Sequence, residues 1–176
     1  MNQQSILLIN KGNFKSDILN SIAQEITCKL NYPVHIVENS LDLDEYYDPV
    51  RRQFNGNDLL KTINSRSSHG IIKKIGLFRV DLFIPILTYI FGQAQFKGSC
   101  AIASTYRLRN ELYGIKKDDT LLLQRFTKVI IHELGHTFGL THCHTPTCVM
   151  RSTTYVEDID QKEMSYCPTC KTLIEA

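Results

Sequence analysis

Apolar and polar positions alternate with a changing period along the first part of the chain. Residues 5–9 form a short apolar run typical of a buried strand. In residues 15–30 the apolar positions recur at helical spacing, and residues 34–37 are again strand-like. The chain is therefore expected to begin with a β-α-β unit.

The middle of the chain is expected to hold a second helix, in residues 57–65, and then strands within 74–80, 88–94 and 100–106. The most apolar stretch, residues 75–96, is interrupted by Arg79, Asp81 and Pro85. These polar and helix-breaking residues exclude a membrane span and favour buried strands. The order of elements indicates a domain of the α/β (α+β) class.

A longer helix is predicted to begin at Asp118 or Asp119, because either side chain can cap it. An apolar stripe would anchor this helix on the sheet. The stripe consists of Leu123, Phe126, Ile130, Leu134 and Phe138. The side of the helix away from the stripe is free to carry functional groups.

Composition is that of an ordinary globular domain, with 43% hydrophobic and 22% charged residues in 176. The net charge of +2 gives no broad electrostatic footprint for nucleic acid. The first twelve residues lack a basic segment and a long apolar core, so no export signal is recognised. We expect one cytoplasmic, monomeric domain that binds neither nucleic acid nor a membrane.

The most specific pattern of the chain is His132-Glu-Leu-Gly-His136-Thr-Phe-Gly139-Leu-Thr-His142. His132 and His136 are four residues apart, so they lie on one face of a helix and can bind the same ion. On a continued helix His142 would point away from that ion. Gly139 can end the helix, because glycine adopts the left-handed conformation without steric cost, and the chain then turns back. The pattern predicts a three-histidine metal site.

Three neutral protein ligands leave the fourth position of a tetrahedral zinc ion open for water, which is typical of catalytic zinc sites. Glu133 would lie beside that position without binding the metal. It is therefore predicted to act as general base and then as acid to the leaving amine. The extended motif resembles the signature of the metzincin metalloproteases.

A second group of potential ligands follows at once, because four of the six cysteines are in the last 34 residues. The four are Cys143, Cys148, Cys167 and Cys170. Two short cysteine pairs favour a structural zinc site, and disulfides, a thioredoxin-like redox pair or separate buried thiols are the competing interpretations. A reducing compartment favours the metal. Cys28 and Cys100 are expected to be buried small side chains.

Residues 132–170 resemble the archaemetzincins, whose pattern joins the metzincin zinc helix directly to a four-cysteine zinc site. The spacing from Met150 to Cys167 is one residue shorter than in the family pattern. The resemblance implies that Met150 occupies the Met-turn position below the catalytic zinc. It also implies a metzincin-like fold, with a twisted mixed sheet packed with helices. A sheet edge within residues 98–104 would pair with an extended peptide.

The resemblance further implies two parts within one domain. Residues 1–139 would form an N-terminal subdomain with the active-site helix, and residues 140–176 a small zinc-stapled subdomain with the Met-turn. Two Zn²⁺ ions are expected, one catalytic at the histidines and one structural at the cysteines.

The leading functional hypothesis is a zinc metallopeptidase that hydrolyses peptide or protein substrates through a metal-activated water. The alternative is a zinc-binding interaction module with little or no turnover. A third class, a thiol redox protein, would use Cys167 and Cys170. Glu133 favours the first hypothesis, because a purely structural metal site has no use for a carboxylate beside an open coordination position.

Overall fold

The computed structural model describes residues 4–65 and 69–175. The helices are α1 (Ser16–Leu30), α2 (Gly56–Ser65), α3 (Asp119–Thr137), α4 (Val156–Asp160) and α5 (Pro168–Glu175). The strands are β1 (Ser5–Asn10), β2 (Val34–Glu38), β3 (Tyr47–Asp48), β4 (Gln53–Asn55), β5 (Ile71–Phe78), β6 (Leu82–Ile84), β7 (Leu87–Ile90), β8 (Gly92–Ala94) and β9 (Cys100–Ser104). The predicted β-α-β start and the second helix are confirmed.

The larger sheet has five strands in the order β2-β1-β5-β9-β8. The first four are parallel, and β8 runs antiparallel to β9, so the predicted mixed sheet is confirmed. The prediction of a sheet edge within residues 98–104 is wrong. Strand β9 lies between β5 and β8, and β8 is the edge strand on this side.

A second sheet, in the order β3-β4-β6-β7, has no counterpart in the sequence prediction. The predicted strand in residues 88–94 is two strands that belong to different sheets, since β7 pairs with β6 and β8 pairs with β9. Phe91, between them, packs into the main core. The chain therefore changes sheets within one apolar run, and both strands reach the same side of the molecule.

Alternate residues of the buried strands pack into two hydrophobic clusters, which lie on opposite faces of the larger sheet. In β1, Ile6 and Leu8 pack with α1 and α3, whereas Leu7 and Ile9 pack with α2. Period-two alternation with apolar residues on both faces is what a central parallel strand requires. The result is a sheet that is buried on both faces, with α3 packed against one of them.

A third, smaller cluster lies towards the C-terminus and contains Leu140, Cys148, Val149, Met150 and Cys170 together with Ile131 of α3. Cys100 is buried as expected, but Cys28 is exposed, which corrects its prediction. Cys28 lies on the outer side of α1, because the buried positions of that helix are Leu19, Ile22, Ile26 and Leu30. Across residues 4–65 and 69–175, no helix combines the length and apolarity that a bilayer crossing needs.

Candidate metal centres

Helix α3 presents the first two histidines, and its two ends are fixed by local hydrogen bonds. Asp118 is the N-cap, as predicted, and its carboxylate accepts a hydrogen bond from the backbone N–H of Leu121 at 2.9 Å. At the other end Gly139 has φ +96°, and its N–H donates to the carbonyl of His136. The N–H of Leu140 donates to the carbonyl of Gly135, which completes a Schellman motif. The predicted reversal at glycine is confirmed.

The reversal brings His142 back to His132 and His136, and the three ring centroids are 4.6 to 5.4 Å apart. His132 Nδ1 donates to the carbonyl of Val149 at 2.8 Å, and His136 Nδ1 donates to that of Leu140 at 2.7 Å. A carbonyl can only accept, so each Nδ1 carries the proton and each Nε2 has a free lone pair. Both Nε2 atoms are therefore available to bind a metal ion.

These two Nε2 atoms are 3.1 Å apart, although neither can donate to the other. Zn–N bonds of about 2.0–2.1 Å in a tetrahedron separate two nitrogens by about 3.3 Å, so the pair fits around one zinc ion. One nitrogen of each of the three histidines lies within 4.8 Å of the others. Burial lowers the pKa of His132 to about 3, and it also lowers the pKa of His136 and His142. All three rings are thus held in the neutral form that binds a metal.

Glu133 lies beside the histidines, packed against strand β8. A Cβ atom at Gly92 would be 2.7 Å from Cγ of Glu133 and 2.8 Å from the carbonyl oxygen of Ile102. Only glycine leaves room for the carboxylate here. Burial raises the pKa of Glu133 to about 8, and the nearby Lys162 ammonium opposes this rise. The sequence pattern identified Glu133, but it gave no sign that Gly92 leaves room for the Glu133 side chain.

The four clustered cysteines also converge, and their sulfurs lie within 4.8 Å of one another. The Sγ atoms of Cys143 and Cys167 are 3.8 Å apart, far beyond the length of about 2.05 Å of a disulfide. Tetrahedral Zn–S bonds of about 2.3 Å separate two sulfurs by about 3.8 Å, so the group fits zinc. The one-residue shortening between Met150 and Cys167 leaves the cluster intact.

Backbone N–H groups point at the sulfurs, as they do in structural zinc sites. The N–H of Thr145 donates to Cys143 Sγ and that of Cys167 donates to Cys148 Sγ, each at 3.4 Å. A hydrogen bond from the backbone of Cys170 is the main cause that lowers the pKa of Cys167 to about 6. At Cys167 this donor favours the thiolate, which is the form that binds zinc, whereas burial raises the pKa of Cys148 and Cys170.

One short segment, residues 148–150, joins the two clusters. Cys148 belongs to the cysteine group, the carbonyl of Val149 accepts from His132, and the carbonyl of Met150 accepts from the N–H of Cys143. The side chain of Met150 lies below α3, where a Cβ atom at Gly135 would be 2.5 Å from its Sδ. Met150 is fully buried, as expected for a residue that floors the histidine site.

The histidines and Glu133 open into a cleft of about 550 Å³. Its opposite rim is made by β7 and β8, and a further wall is formed by the segment 153–155 that follows Met150. Tyr89 of β7 donates from its hydroxyl to the carbonyl of Thr154 at 3.3 Å, so the rim and this wall are in contact. Lys162 also lines the cleft, and no motif in the sequence pointed to it.

Comparison with known proteins places these features in a family. The profile of Peptidase family M54 matches residues 12–176. Archaemetzincin from Thermococcus kodakarensis is 40% identical over 136 residues, which are 77% of this chain and 73% of the relative. The crystal structure of archaemetzincin from Methanopyrus kandleri matches with a TM-score of 0.86 at 30% identity, over 99% of this chain and 94% of that one. A zinc-dependent peptidase from Methanocorpusculum labreanum matches with a TM-score of 0.85 at 27% identity, over 97% and 100% of the two chains.

Proposed function

The chain belongs to Peptidase family M54, the archaemetzincins, and is a zinc metallopeptidase; from this premise we propose that Glu133 is the general base of peptide hydrolysis. The catalytic zinc is held by His132, His136 and His142. The interaction-module alternative is not favoured, since it leaves the cleft and its buried carboxylate without a role.

One observation carries this proposal: three neutral imidazoles and one carboxylate converge at the wall of a cleft large enough for a peptide. The carbonyls of Val149 and Leu140 fix the tautomers of two of the rings, so the ligand atoms are set before an ion binds. When bound, zinc lowers the pKa of a water molecule and polarises the substrate carbonyl. The protein contributes the orientation of these partners and the transfer of protons.

Glu133 is suited to proton transfer by its surroundings. Glu133 is only 8% exposed, and burial raises its pKa to about 8 when no metal ion is bound. A divalent ion nearby favours the ionised form, so the carboxylate can accept a proton from the attacking water. The same oxygen then donates that proton to the leaving amine. Gly92 keeps the carboxylate at this place by leaving room for it.

The substrate peptide pairs with strand β8 rather than with the region expected from the sequence. Phe91, Gln93 and Gln95 use their backbone groups to pair with β9, so those of Gly92 and Ala94 point outwards by the two-residue period. Gly92 and Ala94 line the cleft, whereas Gln93 does not. An extended peptide can therefore add to this edge as a further strand, with its scissile bond beside Glu133.

A second zinc ion is held by Cys143, Cys148, Cys167 and Cys170 and has a structural role. Four sulfur ligands close its coordination sphere, so it offers no position for substrate. It replaces the core that a short C-terminal segment cannot build. On this basis residues 1–139 form the catalytic subdomain and residues 140–176 the zinc-stapled one.

The test is the isosteric variant Glu133→Gln, measured for zinc per chain and for cleavage of a mixed peptide library. We expect zinc content equal to that of the wild type and a fall in turnover of about 10²- to 10⁴-fold, the usual contribution of a general base. Glu111→Gln, which changes an exposed glutamate in the 3₁₀ helix Asn110–Tyr113, is the matched control and should keep full turnover. Undiminished cleavage by Glu133→Gln would remove Glu133 from the mechanism.

A further inference from the structure

Lys162 is a buried cation in the wall of the catalytic cleft. Its side chain is 5% exposed, and its ammonium donates to the carbonyl of Arg151 and to the hydroxyl of Thr153. Both acceptors belong to the segment that follows Met150, and Thr153 itself lines the cleft. Lys162 therefore occupies the same cavity as Glu133 and the three histidines.

This ammonium has no counter-ion at contact distance among residues 4–65 and 69–175. Two carboxylates, those of Glu133 and Asp158, act on it only through space. Asp158 is engaged by the backbone N–H groups of Thr154 and Tyr155. Burying a cation without an ion-pair partner costs several kcal/mol, so such groups concentrate where they have a function.

One of the three donors of the ammonium is also left over. A lysine ammonium carries three N–H donors, and the side chain of Lys162 uses two of them within the part of the chain that the structure describes. The third is available to an acceptor that enters the cleft. Burial lowers the pKa of Lys162 to about 8, so the group stays protonated at neutral pH.

We propose that Lys162 recognises a carboxylate of the substrate next to the scissile bond, which is either an acidic side chain or the free C-terminal carboxylate. The inference rests on the proposed peptidase function. The ammonium supplies a charge-assisted hydrogen bond, and the ordered carbonyl and hydroxyl of the neighbouring segment hold it in place.

The charges of the cleft support an anionic group at this point. The charged side chains of the lining, apart from the histidines, are Glu133, Lys128 and Lys162, and a zinc ion would add two further positive charges. A substrate carboxylate offsets this excess, whereas a substrate cation at the same place is repelled. Lys128 is the weaker candidate, because its ammonium donates to the carbonyl oxygens at the end of α4 and is half-buried.

The experiment starts with the wild-type enzyme loaded with zinc. From one peptide that it cleaves, pairs are made that differ only in Glu against Gln on either side of the scissile bond, or in a free against an amidated C-terminus. We expect kcat/KM to favour the acidic member of at least one pair by about 10- to 100-fold, the range of one charge-assisted hydrogen bond. The Glu/Gln and acid/amide pairs distinguish the two sources of the carboxylate.

The same ratio is then measured in Lys162→Met, with Lys128→Met as the control from the same cleft. Lys162→Met should abolish the preference, mainly through a higher KM for the acidic peptide, while Lys128→Met keeps it. A purely structural role of Lys162 would slow both peptides equally and leave the ratio unchanged, which overturns the proposal.

The wild-type comparison stands even if Lys162→Met does not fold. A wild-type enzyme that cleaves both members of every pair equally well overturns the carboxylate assignment and leaves the peptidase function intact. An enzyme with two zinc ions that cleaves no peptide contradicts the proposed function itself.

Discussion

The histidine cluster and the cysteine cluster are neighbours in the chain, yet the protein builds them in different ways. Two of the histidines lie on a 19-residue helix fixed to a five-stranded sheet, His142 follows the reversal at the end of that helix, and all three open into a cleft. The cysteines come from short segments and an eight-residue helix, and their sulfurs face one another. The helix and the sheet hold the histidine cluster in place. At the cysteine cluster, by contrast, we expect the bound metal to hold the short segments together.

This difference suggests how a metal site with only three protein ligands can keep its geometry. An open metal site lacks the fourth protein ligand that would hold its parts together. We propose that the closed site supplies this restraint here, through the peptide that joins His142 to Cys143 and through the carbonyl of Val149 beside Cys148. We expect loss of the cysteine ligands to disturb the histidines more than loss of a histidine disturbs the cysteines, because α3 has its own anchor in the core.

The largest effect is expected from Cys148→Ala. Zinc binding contributes on the order of 10 kcal/mol to small zinc modules, so loss of this ligand should unfold the tail and weaken zinc binding at the histidines as well. His136→Ala should lose zinc at the histidines alone. Zinc per chain, measured by mass spectrometry of the metal, gives the comparison.

The control for Cys148→Ala is Cys28→Ala, which removes an exposed thiol on α1 and should change neither zinc nor stability. If Cys148→Ala kept the histidine-site zinc with unchanged affinity, the two sites would be independent.

The second effect is an increase in stability, in contrast to the loss expected from Cys148→Ala, and it is expected from Glu133→Gln. Burial raises the pKa of Glu133 to about 8, so in the metal-free site the folded state binds a proton that the unfolded chain loses near its ordinary value. A raised carboxyl pKa means that the free energy of unfolding falls as pH rises from about 4.5 to about 8. Each pKa unit corresponds to about 1.4 kcal/mol.

Glu133→Gln removes the cost of ionising this buried carboxyl at high pH. The measurement is made in the His136→Ala background, which is expected to lack zinc at the histidines. Urea unfolding should find the glutamine form more stable at pH 8, with a much smaller difference at pH 4.5. A difference that does not change with pH would contradict the buried, protonated carboxyl.

The third and smallest effect is expected from Gly92→Ala. The added Cβ would be 2.7 Å from Cγ of Glu133 and would displace the carboxylate, so turnover should fall about 10-fold or more while zinc content is kept. Steady-state cleavage of one library peptide measures it. Gly114→Ala, at φ +71° with open space around it, should cost stability through backbone strain and leave turnover unchanged.

The sequence predicted the parts of this structure that depend on neighbours along the chain. The cap at Asp118, the apolar stripe of α3 and the reversal at Gly139 all follow from local geometry. The convergence of both ligand groups follows from their spacing. Because the cysteines of each pair are close in the chain, the sequence could favour a zinc site for them without knowledge of the sheet.

What escaped prediction depends on contacts between distant segments. Strands β7 and β8 are one apolar run in the sequence, and only pairing with β6 and β9 separates them. The edge of the sheet, the room left by Gly92 and the burial of Lys162 depend in turn on that arrangement. Cys28 was predicted to be buried because free cysteines usually are, but its position on the outer side of α1 leaves it exposed.

The most direct test of the open and closed sites is a crystal structure of the zinc-loaded protein with data collected at the zinc absorption edge. The account predicts two zinc peaks, one bound by one nitrogen from each of the three imidazoles with a free position facing Glu133, and one bound by four sulfurs. A single peak, or a fourth protein side chain on the zinc at the histidines, would contradict it.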